Sequence, residues 1–203
     1  MESVHVGIFI PYLSIQAHIN KHPECFKKAF YLTTQSAKQQ RSVVFQVSPQ
    51  AHRLGIYPKS NIQYIQKKHP NTPHYAFDKK YQLELLHQLQ DHVNELSPFS
   101  EVSAQGLLHL NLSGTQRLFQ NDFSSWFEQL QSKLNIFPHL KYTSVLANSK
   151  TYATLLAKYY AYHKPQSTLH KVNNHPTEIA AIPILYTCLL YTSDAADEGL
   201  GVD

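Results

Sequence analysis

The chain has 203 residues, 42% of them hydrophobic, which suffices for one large domain or two small ones, each with its own core. No run of eighteen apolar residues occurs and the amino terminus lacks the layout of a signal peptide, so the expectation is a soluble, cytoplasmic protein without a membrane partner. Two cysteines, Cys25 and Cys188, exclude a disulfide framework or a four-thiolate zinc site, and the net charge of +4 becomes +8 when the four acids of 188–203 are set aside, which points toward a polyanionic partner.

In chain order, "HVGIFIPYL" (His5 to Leu13) predicts a buried strand stopped by Pro11, and a helix is expected around Ser14 to Asn20. "KKAFYLTT" and "RSVVFQVS" predict two strands joined by the polar "QSAKQQ". Ser48 is placed to cap a short helix with Pro49 at its first position and Gly55 as its stop. Ser60 is expected to cap a second short helix through Lys68, which Pro70 prevents from continuing.

A longer helix is predicted over Lys79 to Glu95, with Leu83, Leu86, Leu89, Val93 and Leu96 on its apolar stripe. "SPFSEVSAQGLLHLNLSG" predicts strand, turn and strand; Leu108, Leu110 and Leu112 alternate with His109, Asn111 and Ser113, as in a strand with one buried face. A helix over Asp122 to Leu134 would turn Phe123, Trp126, Phe127, Leu130 and Leu134 inward. "YTSVLANS" predicts a strand and "KTYATLLAKYYAYH" a helix. Tyrosines at helical spacing on that helix are read as packing rather than base stacking. Strands alternating with helices, interrupted by short elements from about Lys21 to Pro73, predict an α+β fold: a palm-like sheet with helices on one face and a small inserted domain.

Thirteen histidines show neither a two-histidine helical pair with a carboxylate nor a cysteine-rich spacing, so they are read as exposed or capping, with no bound metal or other cofactor. Chance Ser, His and Asp combinations do not support a hydrolase. Lys27, Lys28, Arg41, Arg53, Lys59, Lys67, Lys68, Lys150, Lys158 and Lys164 are the candidates for tracking a phosphate backbone, and Arg53, Lys59, Lys67 and Lys68 cluster.

"SVVFQVSPQAHRLGIYPKSNIQYIQKKHPN", "ELSPFSEVSAQGLLHLNLSGTQRLF" and "SVLANSKTYATLLAKYYAYHKP" resemble, in order and spacing, the fingers and palm segments of the Y-family DNA polymerases, and within them the polymerase-like ImuB proteins of bacterial mutagenic repair. "EIAAIPIL" resembles the opening of the thumb. The resemblance covers Val4 to Leu185 and implies palm over 1–20 and 76–165, a fingers-like insertion over 21–75, and the start of a thumb over 166–187.

The tail "CLLYTSDAADEGLGVD", 188–203, resembles instead a translated sequencing adaptor, the alternative being a genuine acidic tail. It holds four acids and no Lys or Arg, so without it eighteen basic side chains face ten acids, a net charge of +8.

Polymerisation of this kind needs two divalent cations held by carboxylates. The resemblance places the family's acids at Phe9 and Pro11 on the first palm strand and at Gln105 and Gly106 on the second. The second placement requires one extra residue before Asn111, and the neighbours Ala104 and Leu107 are no better as ligands. The family's triphosphate-binding Tyr and Arg fall at Pro49 and His52, and its phosphate-binding Lys falls near Thr151 with Lys150 adjacent. Arg53 would substitute only by a rotation of about 100° on a helix.

The resemblance therefore implies a non-catalytic accessory protein of SOS-type translesion synthesis and DNA repair. It would bind primer-template or damaged DNA, with a sliding clamp, a RecA-like protein and an error-prone polymerase as partners through a region beyond this sequence. The competing readings are an active polymerase with displaced acids, for which Asp78, Glu84 and Glu101 are the candidates, and a protein-binding scaffold.

Overall fold

The computed structural model describes residues 3–35, 42–97, 99–115, 122–137, 139–163 and 169–171. Arg41, Lys164 and nearly all of the segments expected to form the thumb and the acidic tail lie outside the described residues. Contacts divide the described residues into two compact units, the first holding 3–11, Gln90–Leu134 and the described residues from Lys141 onward, the second Tyr12–Leu89 with Asn135–Leu140.

The first unit is built on β1 (His5–Phe9), the apolar run that ends before Pro11. It pairs antiparallel with β6 (Leu107–Asn111) on one side and β7 (Thr143–Ala147) on the other, so that Gly7 faces both His109 and Val145. β5 (Phe99–Ser103) forms a hairpin with β6, and β8 (Leu169–Lys171) pairs in parallel with β7, giving the order β5-β6-β1-β7-β8. β8 lies in the segment expected to begin the thumb, yet its backbone extends this sheet.

The helix α6 (Lys150–His163) crosses β1 at Gly7, where an added Cβ would stand 2.3 Å from the carbonyl oxygen of Ala153. Only glycine admits so close an approach. Phe9, Val145, Leu155, Leu156, Tyr160 and Ala161 form the core beneath, with Tyr152 and Tyr159 packed against it, so these tyrosines serve packing as the sequence predicts.

The alternation of side chains puts Val6, Ile8, Leu108 and Leu110 on the opposite face, and they are equally buried. Ser100, opposite Leu110, points to that side, and there Gln90 on α4 (Lys79–Asn94) donates from Nε2 to its Oγ at 3.1 Å. α6 thus covers one face of the palm-type sheet, while Gln90 of α4 reaches the edge strand β5 from the other. This explains why His109, expected to face outward, is only 6% exposed: it shares the face that α6 covers.

α5 (Phe123–Leu134) begins one residue later than predicted, because Asp122 is its cap and accepts from the Ser124 and Ser125 amides. Trp126, Leu130 and Leu134 are its buried stripe, and the Trp126 indole N–H donates to the Leu96 carbonyl at 3.4 Å.

The second unit carries a three-stranded sheet of order β3-β2-β4, from β2 (Tyr31–Gln35), β3 (Ser42–Val47) and β4 (His74–Ala76). α1 (Leu13–Lys21) precedes it, followed by a 3-10 turn at Pro23–Cys25. α2 (Pro49–Arg53) has the predicted cap: the Ser48 hydroxyl accepts from the Ala51 amide, Pro49 opens the helix and Gly55 follows at φ 83°. α3 (Ile62–Lys68) is capped by Asn61, whose Oδ1 accepts from the Gln63 and Tyr64 amides, and not by the expected Ser60. Ser60 is held in the sheet instead, its carbonyl accepting from the Val44 amide at 3.2 Å.

This unit reaches beyond the expected insertion at both ends. Ser14 donates to Gln82 Oε1 at 2.6 Å, Asn20 to the Tyr81 hydroxyl at 2.9 Å, and Lys21 to Asp78 at 2.8 Å, tying α1 to the first turns of α4. The boundary between the units consequently falls inside α4, after Leu89. On that helix Leu85 joins Leu86, Leu89 and Val93 among the buried residues, while Leu83 is only half-buried.

Candidate functional site

The residues at the implied acid positions do come together, at one end of the five-stranded sheet. β1 ends at Phe9 opposite Leu107, and the next amide, that of Ile10, donates to the Gly106 carbonyl at 2.9 Å. The β5–β6 turn closes through the Gly106 amide on the Ser103 carbonyl and the Gln105 amide on the Ser103 hydroxyl, with Gly106 at φ 84°.

What stands there is apolar or already committed. Phe9 is buried in the α6 core with its ring 6.2 Å from that of Tyr162, and Pro11 has no side-chain donor atom. Gln105 Oε1 accepts from the Lys158 ammonium at 3.3 Å. The residues present therefore do not fit a pair of divalent cations: none supplies a negative charge, and a lysine already reaches the one side-chain oxygen.

Toward the other end of the same face lies a polar cluster that sequence patterning did not reveal. His5 Nδ1 and His109 Nε2 are 3.1 Å apart with their rings stacked, and His109 Nδ1 is 3.9 Å from Glu101 Oε1. Glu101 is ion-paired with Lys150 at the start of α6. Burial, with help from Lys150 and His5, pushes the His109 pKa down to about 4, against a smaller opposing pull from Glu101. Burial and Lys150 also lower His5, while the hydrogen bond from Lys150 holds Glu101 below the usual carboxylate range. The His109 imidazole is therefore neutral at pH 7. The two histidines are 104 residues apart and meet only through strand register, so no local signal announces them.

The predicted histidine pattern needs a second correction in the other unit. His18 packs 5.1 Å from Phe30 and 4.3 Å from Tyr75, and burial lowers its pKa to about 4. Neither it nor His109 is an exposed or capping residue.

The other predicted site residues divide between the units. Pro49 opens α2, and exposed His52 sits edge-on to Tyr57 at 5.0 Å in the second unit. Thr151 lies exposed in the first turn of α6. Lys150 and Lys158 are engaged by Glu101 and Gln105. Arg53, Lys59, Lys67 and Lys68 are all exposed around α2 and α3, as are Lys27 and Lys28 after the 3-10 turn. Of the alternative acids, Asp78 pairs with Lys21 at 2.8 Å and Glu84 approaches Lys80 at 3.8 Å, both in the second unit, whereas Glu101 belongs to the first. Among the described residues no three His, Cys, Asp or Glu side chains converge as a metal site.

Among solved structures, the chain is similar to the post-insertion binary complex of Dbh DNA polymerase, with a TM-score of 0.67 and 16% identity over 87% of this chain and 49% of that one. The chain has a Y-family polymerase-like fold. DinB from Sulfolobus solfataricus (TM-score 0.65, 17% identity, 86% and 49% covered) and a Y-family Dbh–Dpo4 chimera (0.65, 16%, 87% and 50%) agree. The chain spans about half the length of these Y-family structures. No family model matches the sequence, and no curated protein sequence matches it.

Proposed function

We propose that this protein is a non-catalytic, DNA-binding accessory factor of SOS-type translesion synthesis, related to the ImuB group and built on the Y-family polymerase-like fold. One observation carries the reading: the positions that the resemblance assigns to metal-binding acids hold Phe9 and Pro11 at the end of β1 and Gln105 and Gly106 in the β5–β6 turn, with Lys158 on the Gln105 oxygen. The net positive charge favours primer-template or damaged DNA as ligand. Partnership with a sliding clamp, a RecA-like protein and an error-prone polymerase, in the bacterial cytoplasm near the nucleoid, belongs to the same proposal and would be carried by sequence beyond the present chain. So does the adaptor origin of 188–203, which resequencing the source DNA across codon 188 with a different library chemistry tests directly.

The deciding experiment pairs primer extension with primer-template binding, using the full native protein. The expected result is salt-sensitive binding with no extension in magnesium or manganese. Metal-dependent extension that Glu101→Ala abolishes would establish the active-polymerase reading instead. A folded protein that binds no DNA at low salt would leave the protein-binding scaffold.

A further inference from the structure

From Cys25 to Phe77 the chain runs 53 residues without a single Asp or Glu while carrying eight Lys and Arg. The chain's overall share of acids would place about four there. All of this stretch belongs to the second unit, and its described part folds as β2, β3, α2, α3 and β4. Among the described residues, Arg53, Lys59, Lys67 and Lys68 enter no ion pair, in contrast to Lys133 and Lys150 of the first unit. Unanswered cations on one small unit make a concentrated positive field.

The same region exposes flat rings. α2 and α3 share one core, in which Ala51, Ile56, Ile62 and Ile65 pack with Tyr31, Val44 and Val47. The rings between those anchors are turned outward: Tyr57 is 52% exposed and Tyr64 60%. On α3, Tyr64, Lys67 and Lys68 fall at i, i+3 and i+4, the face opposite Ile62 and Ile65, and the Lys68 ammonium lies 6.0 Å from the centre of the Tyr64 ring. The loop bearing Tyr57 and Lys59 is fixed and not slack: the Lys59 amide donates to the Val44 carbonyl at 2.7 Å, and Lys59 itself takes φ 67°. A rigid loop and a helix face thus hold exposed rings among unpaired cations.

We propose that this end of the second unit is a platform for single-stranded nucleic acid, on which Tyr57 and Tyr64 stack bases while Arg53, Lys59, Lys67 and Lys68 bind the phosphates. Rings accept any base, and cations spaced along them track a flexible backbone, so the surface suits a single strand without sequence preference. A duplex hides its base faces and offers the rings nothing. The inference rests on the DNA-binding reading above and deepens it by naming the strand type and the surface.

The test measures binding of the full chain to fluorescent oligo-dT, to a primer-template, to a blunt duplex and to heparin by anisotropy over a salt series. Tyr57→Ala/Tyr64→Ala is expected to weaken oligo-dT binding by about fivefold or more and to leave heparin binding unchanged. Tyr57→Phe/Tyr64→Phe should restore it, and Lys67→Gln/Lys68→Gln should lower the single-strand salt slope by about 1.4. All six side-chain changes are at exposed positions, so unchanged thermal melting serves as the folding control. If every variant binds oligo-dT like the wild type while primer-template binding persists, the platform is refuted and the DNA-binding function stands. Loss of heparin and oligo-dT together in the lysine variant, with no effect of the tyrosines, also refutes it and leaves a general polyanion surface. Absence of binding to any nucleic acid by the folded wild type overturns both.

Discussion

In the five-stranded unit, lysines near the β5–β6 hairpin meet partners: Lys150 pairs with Glu101 and Lys158 reaches Gln105, while Lys133 pairs with Glu95. In the three-stranded unit the cations around α2 and α3 meet none among the described residues, and the surrounding sequence holds no acid. Gly7 and Gly55 also differ in their surroundings. Gly7 is enclosed by the α6 backbone at 2.3 Å, whereas a Cβ on Gly55 would have nothing within 4 Å. The second unit leaves the cations around α2 and α3 to solvent, whereas the first engages Lys133, Lys150 and Lys158 with acceptor side chains.

The largest stability effect that separates the units is expected from Gly7→Ala. The new methyl meets backbone atoms on α6 that cannot rotate away, so strand and helix must part, at a cost of about 3 kcal/mol or more read from the urea midpoint. A cost below about 1 kcal/mol would show that α6 moves freely over β1.

Ser48→Ala comes next, at about 2 kcal/mol. The 1% exposed hydroxyl of Ser48 accepts from the Ala51 amide at 3.2 Å and the Phe30 amide at 3.0 Å, so its removal leaves two donors unsatisfied. Gly55→Ala should cost only about 1 kcal/mol, from its φ of 83° alone, since the space is open. A ranking of Gly55→Ala above Gly7→Ala would overturn the contrast drawn between these two positions.

Acid sharpens the comparison more gently, because each unit holds one histidine whose pKa is lowered to about 4, His109 in one and His18 in the other. Unfolded histidine titrates near 6.5, so the unfolded chain binds more protons between about pH 6.5 and 4. Stability is full above that window and falls as pH drops through it. His109 is faced by His5, Glu101 and Lys150, so His109→Gln should flatten the pH dependence of melting while Glu101→Gln, which removes the one group favouring the imidazolium, should not.

Much of this architecture was legible because its signals are local. Ser48, Pro49 and Gly55 sit at the start, first turn and end of α2, and the alternation of β6 and the apolar stripes of α4 and α5 follow the periods of their elements. What was not legible depends on distant pairing. β4 and β8, three residues each, are strands only because β2 and β7 lie beside them. Asn61 takes the cap from Ser60 because Val44 claims the Ser60 carbonyl. At the candidate site the sequence named the four residues at the acid positions, and register brought them together; the commitment of Gln105 to Lys158 and the stacking of His5 on His109 follow from the placement of α6 and of β6, which no short stretch encodes.

The meeting of α6 with Gly7 also fixes a height along the strand. The next side chains on the same face of β1, those of His5 and Phe9, stand about 7 Å to either side. They act as stops: the helix can tilt about the gap that glycine leaves, but sliding along β1 drives its backbone into an imidazole or a phenyl ring. Lys150 and Lys158, two turns apart on that helix, are thereby spaced and levelled by a residue that has no side chain of its own.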